Sequence, residues 1–459
     1  MNRMGWTGCV ALAAALVSFT AAARSTAAEN AARLPKETPE QKAARMQWWT
    51  DARFGMFIHF GLYALPARHE WMKSRERLTN EDYQKYFEQF NPDLFDAKAW
   101  AKAAKAAGMK YMVLTSKHHE GFCLFDSKVT DYKITNTPFG RDLVKEFVEA
   151  ARAEGLKVGF YYSLLDWHHP DYTIDRHHPL RGYNAARRAA FNKGRDMARY
   201  RRYMKDQVAE LLTNYGKIDI IWYDFSFPGK DGKGRDDWDS AGLLALTRKL
   251  QPGIIVDNRL DLNDVEGGFD LLTPEQKRTA KWPEAFGRRQ PWERCQTFSG
   301  SWGYHREEKS WKSVPSLVEM LVDCVGHGGN LLLNVGPTGR GEFDYRAKER
   351  LDGLGRWMHA NSRAVYGCTQ PPDEYFDSPE PNPNGCCWMT WNPKTRRLYL
   401  CIIHSYPAKD GRLNVKFFDK VKYAQFLHDG SELKLGDGAI WLPKQAPNVV
   451  VPVVECVMK

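Results

Sequence analysis

The chain has 459 residues, of which 43% are hydrophobic and 13% aromatic, enough to bury one large core and to form a second. Its formal net charge is +10, but the Lys and Arg residues are spread among 56 acidic ones and no nucleic-acid-binding motif is present. Composition therefore argues against a nucleic-acid-binding protein. The 16 Trp and 20 Tyr residues suit a core, and equally an enzyme that stacks aromatic rings on sugars.

The N-terminus has the pattern of an export signal. Arg3 precedes an apolar segment at residues 9–19, and small residues suited to cleavage follow at 21–23 and 26–28. The apolar segment falls well short of the roughly 20 residues that a membrane-spanning helix needs. The pattern predicts a removable signal peptide over residues 1–28 and a periplasmic or secreted mature protein without a membrane span.

From about residue 50, short apolar strand patterns alternate with amphipathic helix patterns. Strands are predicted at 54–61, 110–117, 156–163, 218–225, 253–259, 294–300 and 330–336, and helices between them include 96–108, 141–155, 197–216 and 344–361. Continuous apolar strands separated by helices are typical of parallel strands buried on both faces. The number of units favours a (β/α)8-like TIM-type barrel over residues 29–368. No helix pattern is visible at 260–293, so we expect an irregular barrel there.

Polar residues recur at the carboxyl ends of these strands. In a parallel barrel those ends meet at one face, where active sites are built. The residues concerned are His59, His118, His119, Tyr161, Tyr162, Asp224, Arg259 and Asn334. Their shared position predicts one common site.

The pattern changes after residue 368. Residues 370–385 are rich in Pro, and the remainder shows short alternating strands separated by turns. This predicts a C-terminal antiparallel β-sandwich over residues 369–459. No catalytic cluster stands out within it.

Asp224 is the most suggestive single residue, because it ends an apolar strand between aromatic neighbours. A buried carboxylate must be hydrogen-bonded or used in chemistry. Glycoside hydrolysis uses two carboxyl groups, one as nucleophile or base and one as acid. Glu70, Glu275 and Glu293 are candidates for the second, and spacing alone does not rank them. A structural role for Asp224 stays open at this point.

Metal catalysis is a weaker interpretation. The first strand supplies a single histidine, His59, and the adjacent His118 and His119 are expected to point in different directions. This arrangement favours two separate hydrogen bonds over one metal ion. A serine nucleophile is also disfavoured, since no GxSxG motif occurs.

Several long motifs follow one another in the order found in a known family. They are "WWTDARFGMFIHFGLYALPARHEWM", "AGMKYMVLTSKHHEGFCLFDSK", "RDLVKEF", "GFYYSLLDWHHPDY", "IDIIWYDF", "RCQTFSGSWGY" and "GGNLLLNVGPTGRGEF". Over roughly residues 40–370 the chain resembles the family 29 glycoside hydrolases, the α-L-fucosidases. The resemblance implies a barrel with a trailing sandwich and a retaining exo-hydrolase that removes terminal α-L-fucose from fucosylated oligosaccharides or polysaccharides without a metal cofactor.

The resemblance also implies roles for individual residues. Asp224 resembles the nucleophile, Glu275 is expected to be the acid/base, and Glu293 is the alternative acid/base. The residues that resemble fucose-binding positions are His59, Glu70, Trp71, His118, His119, Tyr162, Trp222 and Arg259. Glu120 is expected to support the site without acting as a catalyst.

Two other functions remain open on the sequence. One is a catalytically silent fucose-binding protein on the same scaffold, and the other is a glycosidase for a related sugar such as galactose. An oligomer is compatible with the sequence.

Overall fold

The computed structural model describes residues 37–376, 380–381, 385–407 and 410–459. Residues 1–28, where a signal peptide is predicted, lie outside these ranges. Within them, no helix combines the length and the apolar character needed to cross a bilayer.

The N-terminal part is built around a curved parallel sheet. Its strands are β1 (Phe54–Ile58), β2 (Tyr111–Lys117), β3 (Lys157–Ser163), β4 (Ile220–Asp224), β5 (Ile255–Val256), the short hairpin β6 (Glu284–Ala285) and β7 (Arg288–Arg289), then β8 (Glu293–Thr297) and β9 (Asn330–Val335). All except the hairpin join one seven-stranded sheet in the order β5-β4-β3-β2-β1-β9-β8. Every pairing in it is parallel.

Helices pack on the outer face of this sheet, which explains why the strands are buried on both faces. The helices of this part of the chain are α1 (Pro39–Ala52), α2 (Met72–Arg75), α3 (Asn80–Glu88), α4 (Ala97–Ala106), α5 (Leu143–Ala153), α6 (Ala185–Asn192), α7 (Met197–Thr213), α8 (Arg235–Trp238), α9 (Ser240–Leu250), α10 (Val314–Gly326) and α11 (Tyr345–Asn361), of which α1 lies at the end of the barrel. Two of these helices begin at aspartate N-caps: the side chain of Asp96 accepts a hydrogen bond from the backbone N–H of Ala99, and that of Asp344 accepts one from the backbone N–H of Arg346.

An irregular segment, residues 270–276, closes the sheet between β5 and β8. Isolated parallel bridges join Asp257 to Leu271 on one side, and Leu272 to Trp292 and Glu275 to Cys295 on the other. No helix occurs between β5 and β8, as the sequence predicted. The segment therefore takes the place of an eighth strand, and the predicted TIM-type barrel is confirmed in this irregular form.

The interior of the barrel is filled by side chains and closed at its amino-terminal end by α1. Met46 and Trp49 of α1 pack with Phe57, Tyr111 and other inward-facing strand residues. The indole N–H of Trp49 donates to Oε2 of Glu293 at 3.3 Å. Among the described residues, the interior of the barrel is thus a packed core, closed by α1 at one end and open towards the carboxyl ends of the strands.

The C-terminal part consists of two antiparallel sheets. Its strands are β10 (Cys387–Asn392), β11 (Arg397–Ile402), β12 (Arg412–Asn414), β13 (Val421–Phe426), β14 (Lys434–Gly436), β15 (Ala439–Trp441) and β16 (Val453–Met458). They form the sheets β10-β11-β16-β13 and β12-β15-β14. The predicted sandwich is confirmed, while the predicted boundary at residues 368/369 stays a prediction.

The larger C-terminal sheet packs against other parts of the protein on both faces. Because alternate side chains point in opposite directions, one set faces the barrel and the other faces the smaller sheet. Trp388, Tyr399 and Val453 join the main core of the barrel, whereas Met389 and Leu400 pack in the core between the two sheets. The sandwich therefore rests directly on the outer helices of the barrel.

The segment that closes the barrel is anchored by a buried ion cluster. Asp270 lies 2.7 Å from Nη2 of Arg45 and 2.6 Å from Nη2 of Arg248, and it accepts a hydrogen bond from the backbone of Val256 at 2.8 Å. Burial acts to raise the pKa of Asp270, but Arg248 and Arg45 outweigh it and lower that pKa to about 2.

We predict that Asp270→Asn lowers the free energy of unfolding by about 3–5 kcal/mol, because it breaks a buried ion pair. The pKa of Asp270 is lower in the folded protein than in the unfolded chain. The ionised carboxylate therefore stabilises the wild type at neutral pH, and its advantage over the variant disappears as the pH falls from about 4 towards 2. Thermal unfolding at several pH values measures the difference. Asp93→Asn, which removes an exposed partner of Arg340, is the matched control and should leave the melting temperature close to wild type.

Candidate active site

The carboxyl ends of the strands converge on a narrow cavity. Its walls include most of the predicted site residues, namely His59, Trp71, His118, His119, Trp222, Asp224, Arg259 and Glu275. The structure therefore brings these eight side chains together. Glu70, Tyr162 and Glu293 are not among those that line it.

One guanidinium group joins the two principal carboxylates. Nη1 of Arg259 lies 2.8 Å from Oδ1 of Asp224 and 3.0 Å from Oε2 of Glu275. The two oxygens are therefore at most about 6 Å apart, close to the roughly 5–5.5 Å that separates the carboxyl groups of retaining glycosidases. Arg259 is itself held by Thr273, whose hydroxyl accepts from Nε at 3.1 Å.

Asp224 is buried, whereas Glu275 is 43% exposed at the mouth of the cavity. Burial raises the pKa of Asp224, and the nearby Glu275 adds to this, while Arg259 and a hydrogen bond from Tyr161 oppose it. Arg259 thereby favours the ionised form of Asp224 against the effects of burial and of the neighbouring carboxyl group.

The structure corrects the choice between two adjacent tyrosines. The hydroxyl of Tyr162 donates to Oε1 of Gln207 at 2.8 Å, on the helix side of β3 and away from the cavity. The hydroxyl of Tyr161 donates to Oδ2 of Asp224 at 2.8 Å, and its ring lines the cavity. Successive strand residues face opposite sides of a sheet, so the position predicted for Tyr162 belongs to Tyr161.

The three histidines form a neutral group. The rings of His118 and His119 lie 4.0 Å apart, and that of His59 lies 5.7 Å from His118. Burial lowers the pKa of His59 to about 3 and holds those of His118 and His119 well below their ordinary value. The cavity therefore presents uncharged imidazoles, which can donate or accept hydrogen bonds to hydroxyl groups. In the described part of the chain, no three His, Cys, Asp or Glu side chains are arranged as a metal ligand set.

The remaining acids lie outside the cavity. Glu70 is buried behind its wall and accepts a hydrogen bond from the backbone of Gly303 at 2.9 Å. Glu293 begins β8 at the opposite end of the barrel, where Trp49 and Tyr111 donate to its carboxylate. Burial raises the pKa of each to about 7. The position of Glu293 does not fit an acid acting beside Asp224.

Glu120 has the supporting place expected of it. Its carboxylate accepts from the backbone of Leu62 at 2.9 Å and from the hydroxyl of Tyr83. It thereby ties the loop that carries His118 and His119 to the chain that follows β1.

Aromatic residues form the apolar walls. The ring of Trp71 lies 4.9 Å from that of His119 and 5.2 Å from that of Phe225. Phe225 has φ of 80°, a left-handed conformation that is unusual for a bulky residue and is often found at functional sites. Because it follows Asp224 directly, this conformation turns its ring into the cavity wall.

A larger cleft of about 550 Å³ adjoins the cavity. Phe225, Arg259 and Glu275 line both, and the cleft is further lined by polar residues such as Asn258 and Lys277. Glu275 thus lies at the junction between a narrow inner cavity and a wide outer cleft.

Some cavity residues were not assigned a role from the sequence. They are Phe57, Tyr161, Phe225, Cys295 and Trp302. All five lie within the family motifs quoted above, and Tyr161 and Phe225 also lie near the end of a strand, as the assigned residues do. Trp302 comes from a loop, so the strand pattern does not indicate that it faces the site.

Comparison with known proteins agrees with this geometry. The family model described as alpha-L-fucosidase matches residues 20–363. The plasma alpha-L-fucosidase of Homo sapiens is 31% identical over 382 residues, covering 78% of this chain and 75% of that protein. The alpha-L-fucosidase of Dictyostelium discoideum is 30% identical over 354 residues, covering 70% and 71%.

Solved structures extend the similarity to the whole fold. Alpha-L-fucosidase isoenzyme 1 from Paenibacillus thiaminolyticus is 42% identical with a TM-score of 0.82, covering 91% of this chain and 99% of that one. A covalent intermediate of a Bacteroides thetaiotaomicron alpha-L-fucosidase, trapped with a Glu-to-Gln variant, is 27% identical with a TM-score of 0.75, covering 93% and 97%. The extent of the matches shows that this chain belongs to the α-L-fucosidase family, glycoside hydrolase family 29.

Proposed function

We propose that the protein is an exo-acting, retaining α-L-fucosidase that releases terminal α-L-fucose from fucosylated glycans. The observation that carries the proposal is the pairing of Asp224 with Glu275 through Arg259, with carboxylate oxygens at most about 6 Å apart. The named relatives are α-L-fucosidases, and one of them forms a covalent intermediate.

The proposed mechanism is a double displacement. Asp224 attacks the anomeric carbon and forms a covalent fucosyl ester, while protonated Glu275 donates its proton to the departing glycosidic oxygen. Glu275, now ionised, takes a proton from water as that water attacks the anomeric carbon. Fucose leaves with its configuration retained, and both acids return to their starting states.

The shape of the site supports exo-cleavage. The inner cavity is narrow and closed below by the packed barrel, so it suits one terminal sugar residue. The adjoining cleft suits the rest of the glycan. In the inner cavity His59, His118 and His119 are proposed to bind the sugar hydroxyls, with Trp71 and Trp222 as aromatic walls. Glu70 does not line this cavity, and its proposed role is to hold the loop that carries Trp302 through the hydrogen bond from the backbone of Gly303.

The two other candidate functions are less well supported. A silent binding protein has no need of two carboxylates paired through a buried guanidinium, which costs desolvation. L-Fucose is the 6-deoxy form of L-galactose, so it needs an apolar contact at C6. Phe57, Phe225 and Trp302 offer such walls, which favours fucose.

We further propose that the enzyme acts outside the cytoplasm. The signal-peptide pattern at residues 1–28 supports this location, and so does a relative that is named a plasma enzyme. Its substrates would then be fucosylated oligosaccharides or polysaccharides of the extracellular or periplasmic space.

Incubation with a panel of fucosylated oligosaccharides tests the function directly. We expect L-fucose as the only released sugar, and the α-anomer as the first product detected by NMR, because two inversions restore the configuration. The defucosylated remainder of the substrate is the other product, so release of an oligosaccharide that still carries fucose at its new reducing end would contradict exo-cleavage. A β-anomer as first product would contradict the double displacement, and release of galactose alone would contradict the substrate.

Substitution of the acids tests their roles. Asp224→Ala should lower turnover of an aryl α-L-fucoside by more than about 10⁴-fold, and azide should restore part of it as the inverted fucosyl azide. Glu275→Ala should cost about 10²–10⁴-fold, and azide should here yield the retained product. The deficit of Glu275→Ala should grow as the leaving group becomes less acidic, since such groups need a proton most.

Glu293→Gln is the matched control for the acid/base. Because Glu293 lies at the opposite end of the barrel, its replacement should lower the melting temperature without changing the dependence on the leaving group. A steeper dependence in Glu293→Gln, with a normal one in Glu275→Ala, would reverse the assignment.

The adjacent tyrosines provide a matched pair. Tyr161→Phe removes a hydrogen bond to the ionised form of Asp224, so the pKa of Asp224 rises further. The nucleophile must be ionised, and the acidic limb of kcat/KM should therefore move to higher pH. Tyr162→Phe removes the bond to Gln207 and should lower the free energy of unfolding by about 0.5–1.5 kcal/mol without moving that limb. Equal pH profiles in the two variants would contradict the placement of Tyr161.

A further inference from the structure

A chain of buried hydrogen bonds runs from the cavity to the loop after β8. Nδ1 of His59 lies 2.6 Å from Oδ1 of Asn334, and Nδ2 of Asn334 lies 2.6 Å from the backbone oxygen of Trp302. His59 and Asn334 are only 4% and 2% exposed, so water does not compete for these contacts.

The donor and the acceptor of each hydrogen bond in this series are fixed. The carbonyl oxygen of Trp302 can only accept, so the Asn334 atom facing it must be the amide nitrogen. The other end of the amide is then its oxygen, which also can only accept. Nδ1 of His59 must therefore carry the proton, and in a neutral imidazole this leaves Nε2 as an acceptor.

We propose that Asn334 is a positioning residue that holds His59 in the Nδ1–H tautomer, so that Nε2 accepts a hydrogen bond from a hydroxyl of the sugar in the cavity. The proposal rests on the function proposed above for the identity of that sugar. It assigns to Asn334, which the proposed mechanism does not use, the selection of the donor and acceptor pattern at one wall of the cavity.

The groups around His59 keep it neutral. His118 and Tyr161 face its ring at centroid distances of 5.7 and 5.4 Å, and Trp302 lies at 5.0 Å. None of these carries a charge near neutral pH. Burial lowers the pKa of His59 to about 3, with Arg259 acting in the same direction and Asn334 opposing it. The acceptor on Nε2 is therefore available throughout the working range of pH.

His119 shows the effect of a partner that can both donate and accept a hydrogen bond. Its Nδ1 lies 2.7 Å from the hydroxyl of Ser163, which is also 3.1 Å from the backbone oxygen of Leu165. A hydroxyl can donate to either atom, so it leaves the tautomer of His119 open. An amide anchored to a carbonyl lacks this freedom, which is why Asn334 determines the state of His59.

The tautomer can be read directly by NMR of the full-length protein with ¹⁵N-labelled histidine. The resonances of His59 are identified by their loss in His59→Gln. We expect Nδ1 protonated and Nε2 unprotonated from pH 5 to 8. A proton on Nε2, or an imidazolium in this range, would overturn the proposal, and this reading needs no variant of Asn334.

Asn334→Asp provides the functional test. A carboxylate beside Nδ1 favours the imidazolium and raises the pKa of His59, so Nε2 becomes a donor below that pKa. Substrate and free L-fucose should then bind more weakly as the pH falls, with KM rising about tenfold and kcat changing less. Unchanged ring protonation and an unchanged KM profile would contradict the positioning role.

Asn330→Asp is the matched control, because Asn330 is a buried asparagine on the same strand whose amide donates to the backbone oxygen of Trp49 at 2.9 Å. It should lower stability and leave the pH dependence of KM as in the wild type. If the expected tautomer is seen but no fucoside is cleaved, the proposed function fails while the assignment of Asn334 stands.

Discussion

A single guanidinium group, that of Arg259, makes the site possible. Burial and the neighbouring Glu275 both disfavour the ionised form of Asp224, and a positive charge beside it offsets them. Arg259 supplies that charge to Asp224 and Glu275. Its other nitrogens are held by Thr273, and its face lies against Trp222. The fixed position of this one side chain therefore sets the distance and the charge of the pair.

The irregular closure of the barrel serves the same arrangement. A regular strand and helix between β5 and β8 would place its polar residue in the ring of strand ends with the others. The segment 270–276 instead pairs only at isolated positions, so it can deliver Thr273 to Arg259 and still carry Glu275 to the mouth. Asp270, buried between two arginines, anchors the segment where regular pairing is missing.

Sequence periodicity predicted the barrel, the sandwich and the shared site because buried parallel strands are apolar throughout and end in polar residues. Because such strands are apolar on both faces, the sequence did not indicate whether Tyr161 or Tyr162 faces the cavity. Both faces of β3 are buried, one against the interior and one against helices, so alternation carries no sign of which residue points inward. The sequence also did not decide whether Glu275 or Glu293 lies beside Asp224. The path of the irregular segment that carries Glu275 depends on tertiary contacts, which local sequence patterns do not contain.

The closed amino-terminal end of the barrel affects how substrate, product and water enter and leave the site. In the part of the chain that the structure describes, α1 and the packed interior block the lower end of the barrel, so in the proposed mechanism the departing alcohol and the arriving water share the cleft beside Glu275. In the proposed mechanism the alcohol must clear that space before hydrolysis proceeds, and until then it competes with water for the ester on Asp224. On this proposal, the cleft that admits the substrate also sets how the covalent intermediate is divided between hydrolysis and transfer of fucose to another hydroxyl.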